Sequence, residues 1–120
     1  GSSATREEIF GPVAAIVRVR DVDEAIRCAN DSDFGLGANI YTNNLAYVMK
    51  AMEEVKAGTF WVNDPLTDNE AGPFGGMRQS GIGRELGEEG LEAFREPKHV
   101  HIDWIMERKG YWFPYADRKW

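Results

Sequence analysis

The amino-acid sequence predicts an α/β fold: a parallel βαβαβ layer, then a long glycine- and proline-rich loop, a short helix, an edge strand and an aromatic tail. Three observations predict it. Stretches of β-branched and apolar residues alternate with stretches whose apolar residues recur at helical spacing. The connections between them are short, and from Asp64 onward the texture turns to glycine, proline and polar residues. Strands and helices alternating through short links are most economically a parallel sheet with right-handed crossovers.

In order along the chain, Val13–Val19 is nearly all apolar and reads as a strand covered on both faces. Val22, Ala25, Ile26 and Ala29 then form one helical stripe, and Asp21 with Glu24 three positions later fits a capping box. "GANIYT", Gly37–Thr42, is a second strand. Asn43 or Asn44 caps a second helix, whose Leu45, Val48, Met49, Met52 and Val55 face one side and which Gly58 stops in a left-handed conformation. "TFWVN", Thr59–Asn63, is the third strand. The stretch "DPLTDNEAGPFGGMRQSGIGRE" is a long loop of the kind that carries function or stays disordered. Glu85–Phe94 is a short helix weakened by Gly87 and Gly90. "KHVHIDW" alternates Val100, Ile102 and Trp104 with His99, His101 and Asp103, as a half-exposed strand does.

Composition narrows the function classes. The chain has 120 residues, 42% of them hydrophobic, enough for one modest core in a single domain or part of one. With 20 acidic and 14 basic residues the net charge is −6, the wrong sign for general attraction to nucleic acid or to an anionic membrane. No apolar run is long enough to span a bilayer and no signal peptide is visible, so the expectation is a soluble cytoplasmic protein. The lone Cys28 excludes an internal disulfide and reads as a buried or half-buried structural thiol.

Other apparent motifs lose their force on inspection. His99 and His101 stand two apart with no third ligand, so no metal site is expected. In "SGIGRELG" the third glycine comes one place late for a dinucleotide loop and no strand precedes it; a glycine-hinged entrance to the short helix is the better reading. Asn30–Ser32 matches a glycosylation triplet at a helix end, where it is no acceptor. "EEIFGP", Glu7–Pro12, leads into the first strand. On composition alone its two carboxylates are solvated charges and Phe10 is core.

Three segments together resemble the C-terminal quarter of the NAD(P)-dependent aldehyde dehydrogenase superfamily: "EEIFGPV", "GTFWVN" and "GPFGGMRQSGIGRELGEEGLEAF". The resemblance runs from about Arg6 to Asp103, in the family's order and spacing. It implies that residues 6–96 are the C-terminal part of the catalytic domain and 97–103 an oligomerisation strand; outside it, residues 1–5, opening on Gly-Ser-Ser, read as a tag or a disordered end, and 104–120 as an aromatic tail. It also implies oxidation of an aldehyde to a carboxylic acid with NAD or NADP, through a thiohemiacetal, hydride transfer and thioester hydrolysis. The family's nucleophilic cysteine and general-base glutamate lie before the first residue of this sequence, so the resemblance assigns no catalytic group here and implies that the chain alone is inactive.

By the same resemblance, Glu8 holds the hydroxyls of the nicotinamide ribose and Phe10 packs at the nicotinamide end. Both are then expected beside the sheet end where the third strand passes into the loop. Phe74 lines the aldehyde tunnel. Asp68 stands where relatives that oxidise apolar aldehydes carry an aromatic, which makes a somewhat polar or small aldehyde compatible without selecting one. A homo-oligomer through residues 97–120 is implied. The alternative is a non-catalytic oligomerisation or interaction module of the same fold.

Overall fold

Two side-chain-capped helices and two parallel strands form the ordered centre of the chain. The computed structural model describes residues 3–64, 66–107 and 109–111. After a short 3-10 turn at Ser3–Thr5, helix α1 spans Val22–Asn30. Its N-cap Asp21 accepts from the Glu24 amide at 2.8 Å. Glu24 reaches back one residue further than a capping box requires: its carboxylate accepts from the Arg20 amide at 2.9 Å and from Arg20 Nε at 2.8 Å. Helix α2, Leu45–Glu54, is capped by Asn44, whose side chain accepts from the amides of Ala46 and Tyr47. Each cap satisfies donors that a helix start leaves free.

Strand β2, Gly37–Ile40, runs parallel to β3, Thr59–Val62, with Gly37 opposite Thr59 and Ile40 opposite Val62. A parallel pair needs a crossover, and α2 supplies it. Two shorter strands, β1 at Phe34–Gly35 and β4 at Met77–Arg78, pair antiparallel beside it. Helix α3 covers Gly87–Glu92, shorter than the expected Glu85–Phe94. The core lies between the helices and β2–β3: Val22, Ala25, Ile26 and Ala29 of α1 border one narrow space with Ala38, Asn39, Ile40, Phe60, Ala51 and Val55. Ile26 is 5% exposed and Ala51 3%, the most buried apolar side chains among the described residues.

Five expectations need correction. Val13–Val19 forms no strand; the segment is extended and Ile16 is 94% exposed, because no ladder partner lies beside it among the described residues. "KHVHIDW" is likewise not a strand in the described residues, and Val100, Ile102 and Trp104 are exposed. The inward face of α2 is Val48, Ala51 and Val55, while Leu45, Met49 and Met52 are exposed. Helix α2 stops at Glu54, and Gly58 is not in the left-handed region. Cys28 is exposed, not buried. The aromatic tail from Trp112 to Trp120 lies outside the described residues.

Asn30 ties three elements together. Its Nδ2 donates to the Glu54 carbonyl and its Oδ1 accepts from the Lys56 amide, both at 2.8 Å, so the end of α1 is pinned to the end of α2. Its own carbonyl accepts from Arg78 of β4 at 2.8 Å. A second tether joins the helices where the Lys50 ammonium meets Asp23 and holds that carboxyl below the usual carboxylate range, chiefly through their hydrogen bond. Asn30→Ala strips two backbone groups of their partners. A loss of about 1–3 kcal/mol is expected, measured as a lower unfolding midpoint of the protein carrying the substitution.

The radius of gyration is 24.2 Å. A compact chain of this length has roughly 14 Å. With two well-buried apolar side chains and an extended apolar segment in solvent, hydrophobic burial within the described residues is small beside the entropy of ordering them.

Candidate functional site

Strand alternation divides β2–β3 into two faces. Ala38, Ile40, Phe60 and Val62 turn toward the helices; Gly37, Asn39, Thr59 and Trp61 turn the other way. Gly37 makes room for the indole: a Cβ there would lie 2.9 Å from Cη2 of Trp61. Trp61 Nε1 donates to the Thr67 carbonyl at 2.7 Å, which draws the loop after β3 back over this second face. Further along, Phe74 and Glu85 exchange two backbone hydrogen bonds, each 2.7 Å, so Phe74 is fixed by a bridge across the loop.

The returning loop and the sheet line an open cavity of about 430 Å³, bordered by Leu36, Gly37, Ala38, Asn39, Trp61, Leu66, Asp68 and Phe74. The structure thus brings together Asp68 and Phe74, the two residues expected on the substrate side. Its walls are largely apolar, and the polar residues among those lining it are Asn39, Asp68 and Trp61. Both polar atoms of Asn39 are buried without a hydrogen-bond partner among the described residues.

A second, more polar groove of about 660 Å³ opens on the other side of Leu36 and Gly37, lined among others by Arg6, Glu7, Glu8, Ser32, Gln79 and Ser80. Glu8 therefore faces a cleft furnished with hydroxyl, amide and carboxylate groups. Arg6 fastens this segment to the end of α1 through an ion pair with Asp31 at 2.8 Å, and Ser80 Oγ accepts from the Gly35 amide at 2.9 Å. The two cavities share Leu36 and Gly37 as a common wall.

Two placements differ from expectation. Glu8 sits at the N-terminal end of β2, not at the end where β3 passes into the loop; the doubled-back loop is what brings Phe74 close to that end. Phe10 lines neither cavity, is 92% exposed and adopts a positive φ of 49°. Cys28 lines neither cavity. Among the described residues no three His, Cys, Asp or Glu side chains gather as metal ligands, and no helix is long and apolar enough to cross a membrane. Composition and motifs gave no notice of Asn39, Leu36, Gln79 or Ser80. A period-two reading of "GANIYT" against "TFWVN" would have put Gly37, Asn39 and Trp61 on one face.

The parallel crossover is thus flanked by an apolar pocket and a polar groove that share one wall, in an α/β layer. The family model for the aldehyde dehydrogenase family matches residues 1–100. The chain belongs to that family.

An aldehyde dehydrogenase of Agaricus bisporus is 45% identical over 103 residues, covering 84% of this chain and 21% of the relative. The NAD-dependent aldehyde dehydrogenase of Sinorhizobium meliloti superposes with a TM-score of 0.81 at 36% identity, over 92% of this chain and 22% of that one. Betaine aldehyde dehydrogenase of Staphylococcus aureus in complex with NAD+ gives 0.76 at 37% identity, over 85% and 22%. The chain spans about a fifth of the length of the proteins it matches.

Proposed function

We propose that the chain is the C-terminal part of an aldehyde dehydrogenase that oxidises an aldehyde to a carboxylic acid with NAD+ or NADP+. It supplies cofactor-side and substrate-side contacts, while the nucleophilic cysteine and the general base belong to polypeptide outside these 120 residues. The observation that carries this reading is the shared wall: the groove of Glu8 and the cavity of Asp68 and Phe74 meet at Leu36 and Gly37.

The groove suits a ribose. An ionised Glu8 carboxylate accepts hydrogen bonds from both hydroxyls of a cis-diol, and Ser32, Gln79 and Ser80 offer further polar partners along the same cleft. Phe10 packs at the nicotinamide end once the extended segment behind it is covered. The bound nicotinamide supplies the acceptor for the electron pair that leaves the aldehyde. On the other side of the wall, the Phe74 ring and Trp61 exclude water from the aldehyde chain, and Asp68 meets any polar group it carries. The chain's part in the reaction is positioning.

In the complete enzyme, Glu8→Gln keeps the shape of the carboxylate and removes its charge. The KM for NAD(P)+ is expected to rise about tenfold, the loss of roughly one charge-assisted hydrogen bond, with little change in the KM for aldehyde. Unaltered cofactor kinetics would take Glu8 out of the site.

The exposed Val100, Ile102 and Trp104 support a second, compatible role for residues 97–120 as the contact through which a homo-oligomer forms. The setting proposed for the complete enzyme is the cytoplasm.

A further inference from the structure

We infer that Asn39 is a specificity-determining residue of the apolar cavity, selecting aldehydes whose chain carries a hydroxyl group. The inference rests on the reading of that cavity as the aldehyde side of the site. It starts from an imbalance. Both amide atoms of Asn39, Nδ2 and Oδ1, are shut from solvent and unpaired among the described residues. A buried amide without partners costs about 1–3 kcal/mol, so a natural chain keeps one only where something meets it.

What meets it is set by the surroundings. By strand alternation the Asn39 side chain leaves β2 on the face of Trp61, its partner in the ladder. That face is the floor of the cavity roofed by Leu66, Asp68 and Phe74. Trp61 cannot satisfy the amide, because its one donor is engaged with the Thr67 carbonyl. A turn of the Asn39 side chain about its own torsions brings the amide to the cavity surface. There a ligand hydroxyl accepts from Asn39 Nδ2 and donates its single proton to the Asp68 carboxylate. An unsubstituted alkyl chain leaves the amide orphaned and the carboxylate facing hydrocarbon, so it is bound less well on both counts.

The experiment compares kcat/KM for 3-hydroxypropanal and butanal, which have the same number of heavy atoms, in the complete enzyme and in Asn39→Ala and Asn39→Leu variants. The wild type is expected to favour the hydroxyaldehyde. Both variants should lower the ratio of hydroxyaldehyde to alkanal roughly tenfold, the worth of one hydrogen bond. The ligand-free unfolding midpoint of Asn39→Leu should hold or rise, since an orphaned polar group is replaced by an apolar one of similar size. If Asn39→Leu fails to fold, the ratio in Asn39→Ala decides. An unchanged ratio overturns the inference. An unchanged ratio together with a lowered midpoint identifies the partner of the amide as another segment of the enzyme's own polypeptide. Absence of turnover with every aldehyde overturns the reading of the cavity itself, a failure distinct from an unchanged ratio.

Discussion

Gly58→Ala is expected to lower the stability of the complete protein by about 3 kcal/mol and to cost about a hundredfold in kcat/KM for aldehyde. The added Cβ would overlap the Gly75 carbonyl oxygen and lie 2.7 Å from its carbon and 3.2 Å from Cα of Gly76. All three are backbone atoms, which have no rotamer by which to yield. Retreat from the other side is blocked as well, because the Gly58 amide donates to the Gly35 carbonyl at 3.0 Å and the Thr59 amide to Leu36 at 3.1 Å. Overpacking of a fixed site costs typically about 1–3 kcal/mol and sometimes more; opposed backbones put this site at the upper end.

The kinetic cost follows from what the overlap moves. Gly75 follows Phe74 directly, so pushing the turn away from β3 moves a wall of the cavity proposed to take the aldehyde. A displacement of about 1 Å is worth on the order of a hundredfold in rate. Gly72→Ala is the control, since a Cβ there meets only Asn69 at 3.4 Å or more; its stability and kinetics should stay near wild type. Equal effects at the two positions, measured by thermal unfolding and steady-state kinetics, would remove the close approach at Gly58 as the cause.

The parts of this fold that sequence made legible are those whose reasons are local. Asp21 and Asn44 lie beside the amides they cap, and β2 and β3 carry their own crossover between them, so their pairing is decided within a short stretch of chain. Val13–Val19 has every local mark of a strand, yet a strand exists only when another backbone takes its hydrogen bonds, and none of the described residues does so. The exposed methionines of α2 have the same origin: the apolar stripe was legible, the surface that covers its outer half was not.

The candidate site divides in the same way. The resemblance named Asp68 and Phe74 for the substrate side, and one cavity is lined by both. Asn30 passed as an inert triplet because its worth lies in Glu54 and Lys56, distant in sequence. Asn39 was invisible because a polar residue in a short strand carries no signal until the two faces of the sheet are known. Gly58 read as a helix stop because the carbonyl that crowds it arrives from a loop far along the chain.

Aldehyde-dependent NADH formation by the purified 120-residue chain tests the division of labour most directly. Its lone thiol, Cys28, is exposed on α1 and lines neither cavity, so the one cysteine of the chain is not placed to attack a carbonyl carbon held in the cavity. No NADH above the enzyme-free rate is the predicted result, and Cys28→Ser in the complete enzyme should leave turnover intact. Sustained turnover by the chain alone, abolished by Cys28→Ser, would place the nucleophile within these residues and contradict the account.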